Sequence, residues 1–266
     1  MDPRPRVRAG LAVVRRAPGV VQIGTDPKHA VVIGSLSEAL VDVLLTLDGR
    51  HTAAELGERL AERGEDPAQL GEVLASLDEA GLLDTGFPAT GAAVAVQGAG
   101  HLALSITSLL AESSVRLDHH ADLVVLAATL VPDPNVVNAL MASRTPHLAV
   151  RVREGVGIVG PLVLPGRTSC LNCADLHRTD QDPAWPVIAA QLVAKPASSD
   201  VLFASGTAAL AVAQVLESLV HVRGRAQAPP PVVNATVELD LVAGVAERRS
   251  WYPHPDCQCS AHTMAG

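Results

Sequence analysis

The spacing of apolar positions changes along the chain, and it predicts different elements in two stretches. Early on, Leu11-Ala12-Val13-Val14 and Val20-Val21-Gln22-Ile23-Gly24 flank Ala17-Pro18-Gly19, a turn signal between two strands. Ala30-Val31-Val32-Ile33-Gly34 follows the Asp26-Pro27 turn and predicts a third strand. Helical spacing then takes over. Leu40, Val41, Val43, Leu44 and Leu47 make one apolar side, with Ser35 or Ser37 as the cap. Thr52 with Glu55 three residues on is a capping box for a second helix. A third helix over 66–80 puts Leu70, Val73, Leu74 and Leu77 on one face, and Gly81 suits a left-handed end. Three strands and three short helices describe a small winged-helix unit.

The later stretch alternates strand and helix patterns. Strand runs at 92–96, 114–117, 123–128 and 147–152 are separated by helical patterns at 101–112 and 135–144. That order predicts an α/β domain, Rossmann-like, with a parallel sheet covered on both faces. Between the two stretches, Thr85-Gly86-Phe87-Pro88-Ala89-Thr90-Gly91 reads as a linker, which divides the chain into domains 1–86 and 92–266.

Composition narrows the function classes. Among 266 residues, 48% are hydrophobic and only 18% charged, enough for buried cores and too little charge for a disordered chain. Aromatics are 2%, which leaves no stacking platform for single-stranded nucleic acid. The formal charge of −8 opposes a phosphate backbone, so no nucleic-acid partner is expected. No apolar run approaches the ~20 residues of a membrane span, so no membrane partner is expected. The start, Met1-Asp2-Pro3-Arg4-Pro5-Arg6, lacks the apolar core of a signal peptide and predicts a cytoplasmic protein.

The four cysteines fall in two close pairs, Cys170-Leu171-Asn172-Cys173 and Cys257-Gln258-Cys259. A C-x-x-C turn sets two thiolates at the spacing of tetrahedral zinc, and the second pair completes a closed, structural site. A redox pair is the alternative, but it needs no second pair.

Gly98-Ala99-Gly100-His101-Leu102-Ala103 stands where a dinucleotide fingerprint would, after a strand and opening a helix, and Asp118 lies at the distance of a ribose carboxylate. The same glycines also make any tight strand-to-helix turn. No basic residue lies between Arg116 and Arg144, whereas a triphosphate needs cations, so ATP is not expected as a cofactor.

The second stretch resembles the ThiF-type activating-enzyme superfamily, in particular its members encoded beside YcaO cyclodehydratases in thiazole/oxazole-modified peptide biosynthesis. The matching residues are Gly98-Ala99-Gly100, Ala121-Asp122-Leu123-Val124-Val125 and 160–166 running into the first cysteine pair. They continue through Ala174-Asp175-Leu176-His177-Arg178-Thr179-Asp180, Asp182-Pro183-Ala184-Trp185-Pro186 and the tail from Trp251 to Cys259. The adenylating members carry an acidic ribose-binding end, a polar segment and a lysine downstream. That stretch is missing here, so the resemblance implies the scaffold without the activation chemistry, and a homodimer.

The first stretch resembles a PqqD-like precursor-peptide recognition element, through Leu45-Thr46-Leu47-Asp48-Gly49-Arg50-His51-Thr52 and Glu55-Leu56. Such modules bind a leader peptide as an added strand between the third strand and the third helix. Here that implies Ala30, Val31, Val32 and Ile33 with Gln69, Val73 and Leu77. A DNA-binding winged helix is the rival, but Asp66, Glu72, Asp78 and Glu79 would repel phosphate. The expected function is thus a leader-peptide adaptor for a YcaO-type enzyme, with an active adenylating enzyme or a regulator as alternatives.

Three smaller features complete the sequence. His119, His120 and Asp122 read as a solvated turn in preference to a metal or substrate site. His177, Arg178, Asp180, Asp182 and Trp185 read equally as a partner surface or as crossover packing. Arg248-Arg249 reads as a surface pair in preference to an interface anchor.

Overall fold

The structure is a computed structural model, and it describes residues 4–84, 91–113, 115–127, 130–193, 195, 200–224 and 228–259. The chain divides into two compact units, Met1–Phe87 and Pro88–Gly266. Most of the expected linker lies outside the described residues.

In unit 1, strands β1 (Val13–Ala17), β2 (Val20–Ile23) and β3 (Val31–Ile33) form an antiparallel sheet in that order. Helices α1 (Glu38–Leu44), α2 (Ala53–Ala61) and α3 (Pro67–Glu79) follow. Ser37, in an extended conformation, caps α1 by accepting from the Leu40 amide at 3.2 Å. Ser35 has φ 60°, so it turns the chain and does not cap it. The Thr52–Glu55 capping box forms in both directions. Such a cap is worth about 1 kcal/mol. Asp66 caps α3 ahead of Pro67, whose missing amide costs nothing at the first helical position. Val21, Ile23, Leu40, Leu44, Leu56, Leu60, Leu70 and Leu77 make the core, each no more than 2% exposed. β1 starts later than the apolar run predicts and extends through Arg15 and Arg16. Polar residues continue it because Arg15 pairs with Glu38 and Asp42 on α1.

Unit 2 contains a seven-stranded sheet. Its elements are β4 (Ala93–Gln97), α4 (Gly100–Glu112), β5 (Arg116–Leu117), β6 (Leu123–Ala127), α5 (Pro134–Ala142), β7 (His147–Arg153) and β8 (Val156–Val163). Then come α6 (Leu171–Gln181), α7 (Trp185–Leu192), α8 (Val201–Val222), β9 (Ala235–Asp240) and β10 (Val245–Ser250). The strand order is β10-β9-β8-β7-β6-β4-β5. β5, β4, β6 and β7 run parallel, as the alternation predicts. β8, β9 and β10 are antiparallel, so the sheet is mixed where a parallel one was expected. Glu154 and Gly155, both at positive φ, turn β7 straight back into β8 and leave no room for a crossover helix. All five residues of β6 are buried, because both faces of that strand are covered. Val125 and Leu123 share a core with α4 and α8, while Val124 and Leu126 pack toward Leu140 of α5.

α8 corrects one expectation directly. Its 22 residues, with mean hydropathy 1.5, are long and apolar enough to cross a membrane by length and composition. In the fold it is a core helix: Ala204, Ala208, Ala211, Val215 and Leu219 are fully buried against the sheet and α4. The contact with β8 needs a glycine. A Cβ on Gly157 would sit 2.2 Å from Thr207 Oγ1. Gly157→Ala should therefore destabilise the chain by about 1–3 kcal/mol in urea unfolding, the usual cost of overpacking. Adding Thr207→Ala should recover part of that loss.

Candidate functional site

α6 opens on the first cysteine pair. Cys170 occupies its N-cap position and Cys173 its first turn, so the helix geometry sets both sulfurs on one side. The tail after β10 brings the second pair to them. Cys170 Sγ lies 3.7 Å from Cys173 Sγ and 3.5 Å from Cys257 Sγ, and Cys173 Sγ lies 3.5 Å from Cys259 Sγ. All four sulfurs are within 4.8 Å of one another and could hold a metal ion. Tetrahedral thiolate ligands at ~2.3 Å from zinc stand roughly 3.8 Å apart, so the donor set fits that metal in kind and spacing. Three of the cysteines are buried, and Cys259 is half-buried. The Cys170 thiol donates to Cys173 and pulls the latter down to about 4, helped by the His254 amide. The same bond, with burial, pushes Cys170 up. Asn172 Nδ2 donates to Cys257 Sγ at 3.3 Å.

The polar residues of α6 grip the same tail. His177 Nε2 donates to the Tyr252 carbonyl at 2.9 Å, and His254 Nε2 bonds Asp180 Oδ2 at 2.9 Å. Trp251 is 3% exposed, and its indole N–H donates to Thr236 Oγ1 at 3.0 Å. The Arg178 and Arg249 guanidinium carbons lie 4.7 and 4.5 Å from its ring centroid. Arg178 also stacks 5.2 Å from Trp185 and donates to Asp175 Oδ1, which accepts from the Trp185 indole as well. Asp182 caps the turn into α7. The Leu-His-Arg-Thr-Asp stretch therefore has partners within its own chain. Arg248 and Arg249 are more than a surface pair: Arg248 donates to the Pro231 and Val233 carbonyls.

The glycine turn lies on the far side of β6. Gly98 (φ 151°) and Gly100 (φ 84°) carry the chain from β4 into α4. Asp118 accepts from the His120 amide at 3.0 Å, a bond that holds its carboxyl below the ordinary range. Asp122, beside the exposed His119 and His120, accepts from the Ala93 amide and from Arg223.

In unit 1, β3 pairs with β2 on one side only among the described residues. Val32 is 48% exposed, while Ala30, Val31 and Ile33 are half-buried. On α3, Gln69 is exposed, Val73 half-buried and Leu77 buried in the core. The sequence reading passed over Arg151. In a β-branched run, one arginine at an alternate position reads as solvent-facing, yet it is 7% exposed.

No family model matches the chain. The regulatory protein RecX of Halorhodospira halophila is 49% identical over 55 residues, which is 20% of this chain and 34% of RecX. Among solved structures, the heterocyclase TruD is similar over 98% of this chain and 43% of its own, with TM-score 0.70 and 15% identity. A heterocyclase in complex with substrate and cofactor gives TM-score 0.71 at 15% identity, over 98% of this chain and 40% of that one. The fold is thus shared with these two heterocyclases. E. coli MccB in complex with MccA-N7isoASN shares it, with TM-score 0.61 and 13% identity over 98% and 100% of the two chains. The chain spans less than half the length of the two heterocyclases.

Trp251 is the largest apolar group holding the tail. Trp251→Ala should cost about 3–5 kcal/mol of stability, as full truncation of a buried aromatic does. Chemical unfolding followed by Trp185 fluorescence measures it.

Proposed function

We propose that this chain is a non-catalytic adaptor that captures the leader of a ribosomally made precursor peptide and presents it to a YcaO-type cyclodehydratase. Unit 1 is a winged-helix, PqqD-like recognition element. Unit 2 is a degenerate, ThiF-type domain stapled by structural zinc, in a cytoplasmic homodimer. The observation that carries this reading is the free edge of β3, which no strand among the described residues pairs. An unpaired strand edge offers a row of amides and carbonyls to an added peptide strand, and side chains such as Val32 supply the selective contacts. Ala30, Val31 and Ile33 flank it, and Gln69 and Val73 offer a second wall, with Leu77 supporting that wall from the core.

The similar structures bear on the division of labour in both directions. The part of the two heterocyclases that this chain resembles is less than half of their length. E. coli MccB, which this chain matches over nearly the whole of both chains, has been solved with MccA-N7isoASN and with ATP, and it supports the alternative of an active adenylating enzyme. Against that alternative, Asp118 spends its carboxylate on its own turn, and the segment beyond β6 lacks cations. Tethering the leader raises the local concentration of the core peptide at the partner to roughly millimolar.

The decisive test is to search beside this gene for a short Cys/Ser/Thr-rich reading frame and titrate its leader into the full chain. Val32→Asp should weaken binding at least tenfold while leaving the circular dichroism unchanged. Equal affinity of the variant, or micromolar binding of ATP with magnesium, would overturn the adaptor reading.

The cysteine cluster makes its own prediction. Metal analysis should return one zinc per chain. Cys173→Ser should lose it and lower the melting temperature, because zinc binding by such sites contributes to folding directly, about 10–16 kcal/mol in isolated peptides.

A further inference from the structure

A cavity of about 460 Å³ opens in unit 2 between the C-terminal end of β7, the loop after β6, and helices α6 and α7. Its walls are largely apolar, with Leu130, Leu171, Trp185, Ile188 and Leu192 among them. Five charged residues also line it: Arg151, Arg153 and Arg178, with Glu154 and Asp175. Three cations against two anions leave one positive charge unbalanced.

The unbalanced group is Arg151. Asp175 is bonded to Arg178 at 2.9 Å and to the Trp185 indole at 3.1 Å. Glu238, across the sheet on β9, shares a hydrogen bond with Thr236 and does not line the cavity. Among the described residues, no hydrogen bond or ion pair reaches Arg151, although it is 7% exposed and lines the cavity. Burial, with Arg178 and Arg153 nearby, pushes its guanidinium down to about 9, so it remains charged at neutral pH. A buried guanidinium has five donors and no use for them without an acceptor. Proteins seldom leave a charge in that state unless it is paired or bound to a ligand.

We propose that this cavity is a binding site for a small oxyanion carried on an apolar body, with Arg151 as its forked donor. The single excess charge matches a carboxylate better than a phosphate monoester, which carries nearly two. The planar fork of arginine pairs with a carboxylate through two parallel bonds. Trp185 and the aliphatic walls would cover the apolar body. This site is built from unit 2 alone and the β3 edge from unit 1, so the two are tested separately.

The probes are phenylacetate, its amide phenylacetamide, and phenyl phosphate, each titrated into the full chain by calorimetry. Phenylacetate should bind saturably, and the amide at least tenfold more weakly. Arg151→Met keeps the stem and removes the charge, and loss of an unpaired buried charge is often neutral or stabilising. The variant should keep its melting temperature and bind phenylacetate at least tenfold more weakly. In the unmutated chain, phenylacetate should slow modification of Arg151 by phenylglyoxal, read by mass spectrometry. Equal binding of acid and amide, unchanged affinity in the variant, or no protection of Arg151 would overturn the site. Arg151-dependent binding of phenyl phosphate alone would overturn the carboxylate assignment and give the site to phosphoryl groups.

Discussion

The conformation of unit 2 beyond Ser250 depends on a polar helix holding a strandless tail. α6 buries only Cys173 and Ala174, so apolar burial contributes little to fixing it. Its place is set instead by sulfur contacts at one end and by Arg178, His177 and Asp180 along its length. Four sulfurs packed this closely repel one another once ionised, and a divalent cation converts that repulsion into the strongest tie in the region. Trp251 continues the tie without any metal, since two guanidinium groups cover its ring and Thr236 accepts from its indole. The tail would therefore be fastened twice, by chemistries that respond differently to chelators and to salt.

The same helix also forms one wall of the Arg151 cavity. Arg178 is shared: it stacks on Trp251, which holds the tail, and on Trp185, which lines the cavity. Asp175, two residues from Cys173, neutralises Arg178 and leaves Arg151 unmatched. Displacing α6 would open the cavity and release the tail together, which couples the proposed anion site to the integrity of the cysteine cluster.

Local signals were legible wherever one residue's chemistry settled the outcome. Thr52 with Glu55, Asp66 with Pro67, and Gly98 with Gly100 appear where their spacing placed them, because caps and tight turns are decided within a few residues. The cysteine pairs meet because few arrangements use four thiols so close in kind. The antiparallel half of the sheet was not legible. β8 is interrupted by Gly157, Gly160 and Pro161, and β10 carries Glu247, Arg248 and Arg249 on an edge where every residue is exposed. Neither shows the alternation that marks a half-buried strand. The burial of α8 was not legible either: only the fold shows that its alanines serve close helix packing. Arg151 was silent because burial of a single side chain is decided by elements distant in sequence.

The glycine turn has an account in the backbone alone. To hold a ribose, Asp118 would have to turn its carboxylate away from the His120 amide, and that exchange gives up a bond worth about 1 kcal/mol net. It would also have to approach a ligand in a segment with Arg116 as its nearest cation, 3.7 Å away and already spent on the same carboxylate. Gly98 and Gly100, by contrast, are needed whether or not anything binds, since β4 reaches α4 through positive φ at both. Two glycines beside a self-bonded aspartate are therefore compatible with a purely structural turn, and Arg151 lies two strands away on the same edge of the sheet, near the C-terminal end of β7.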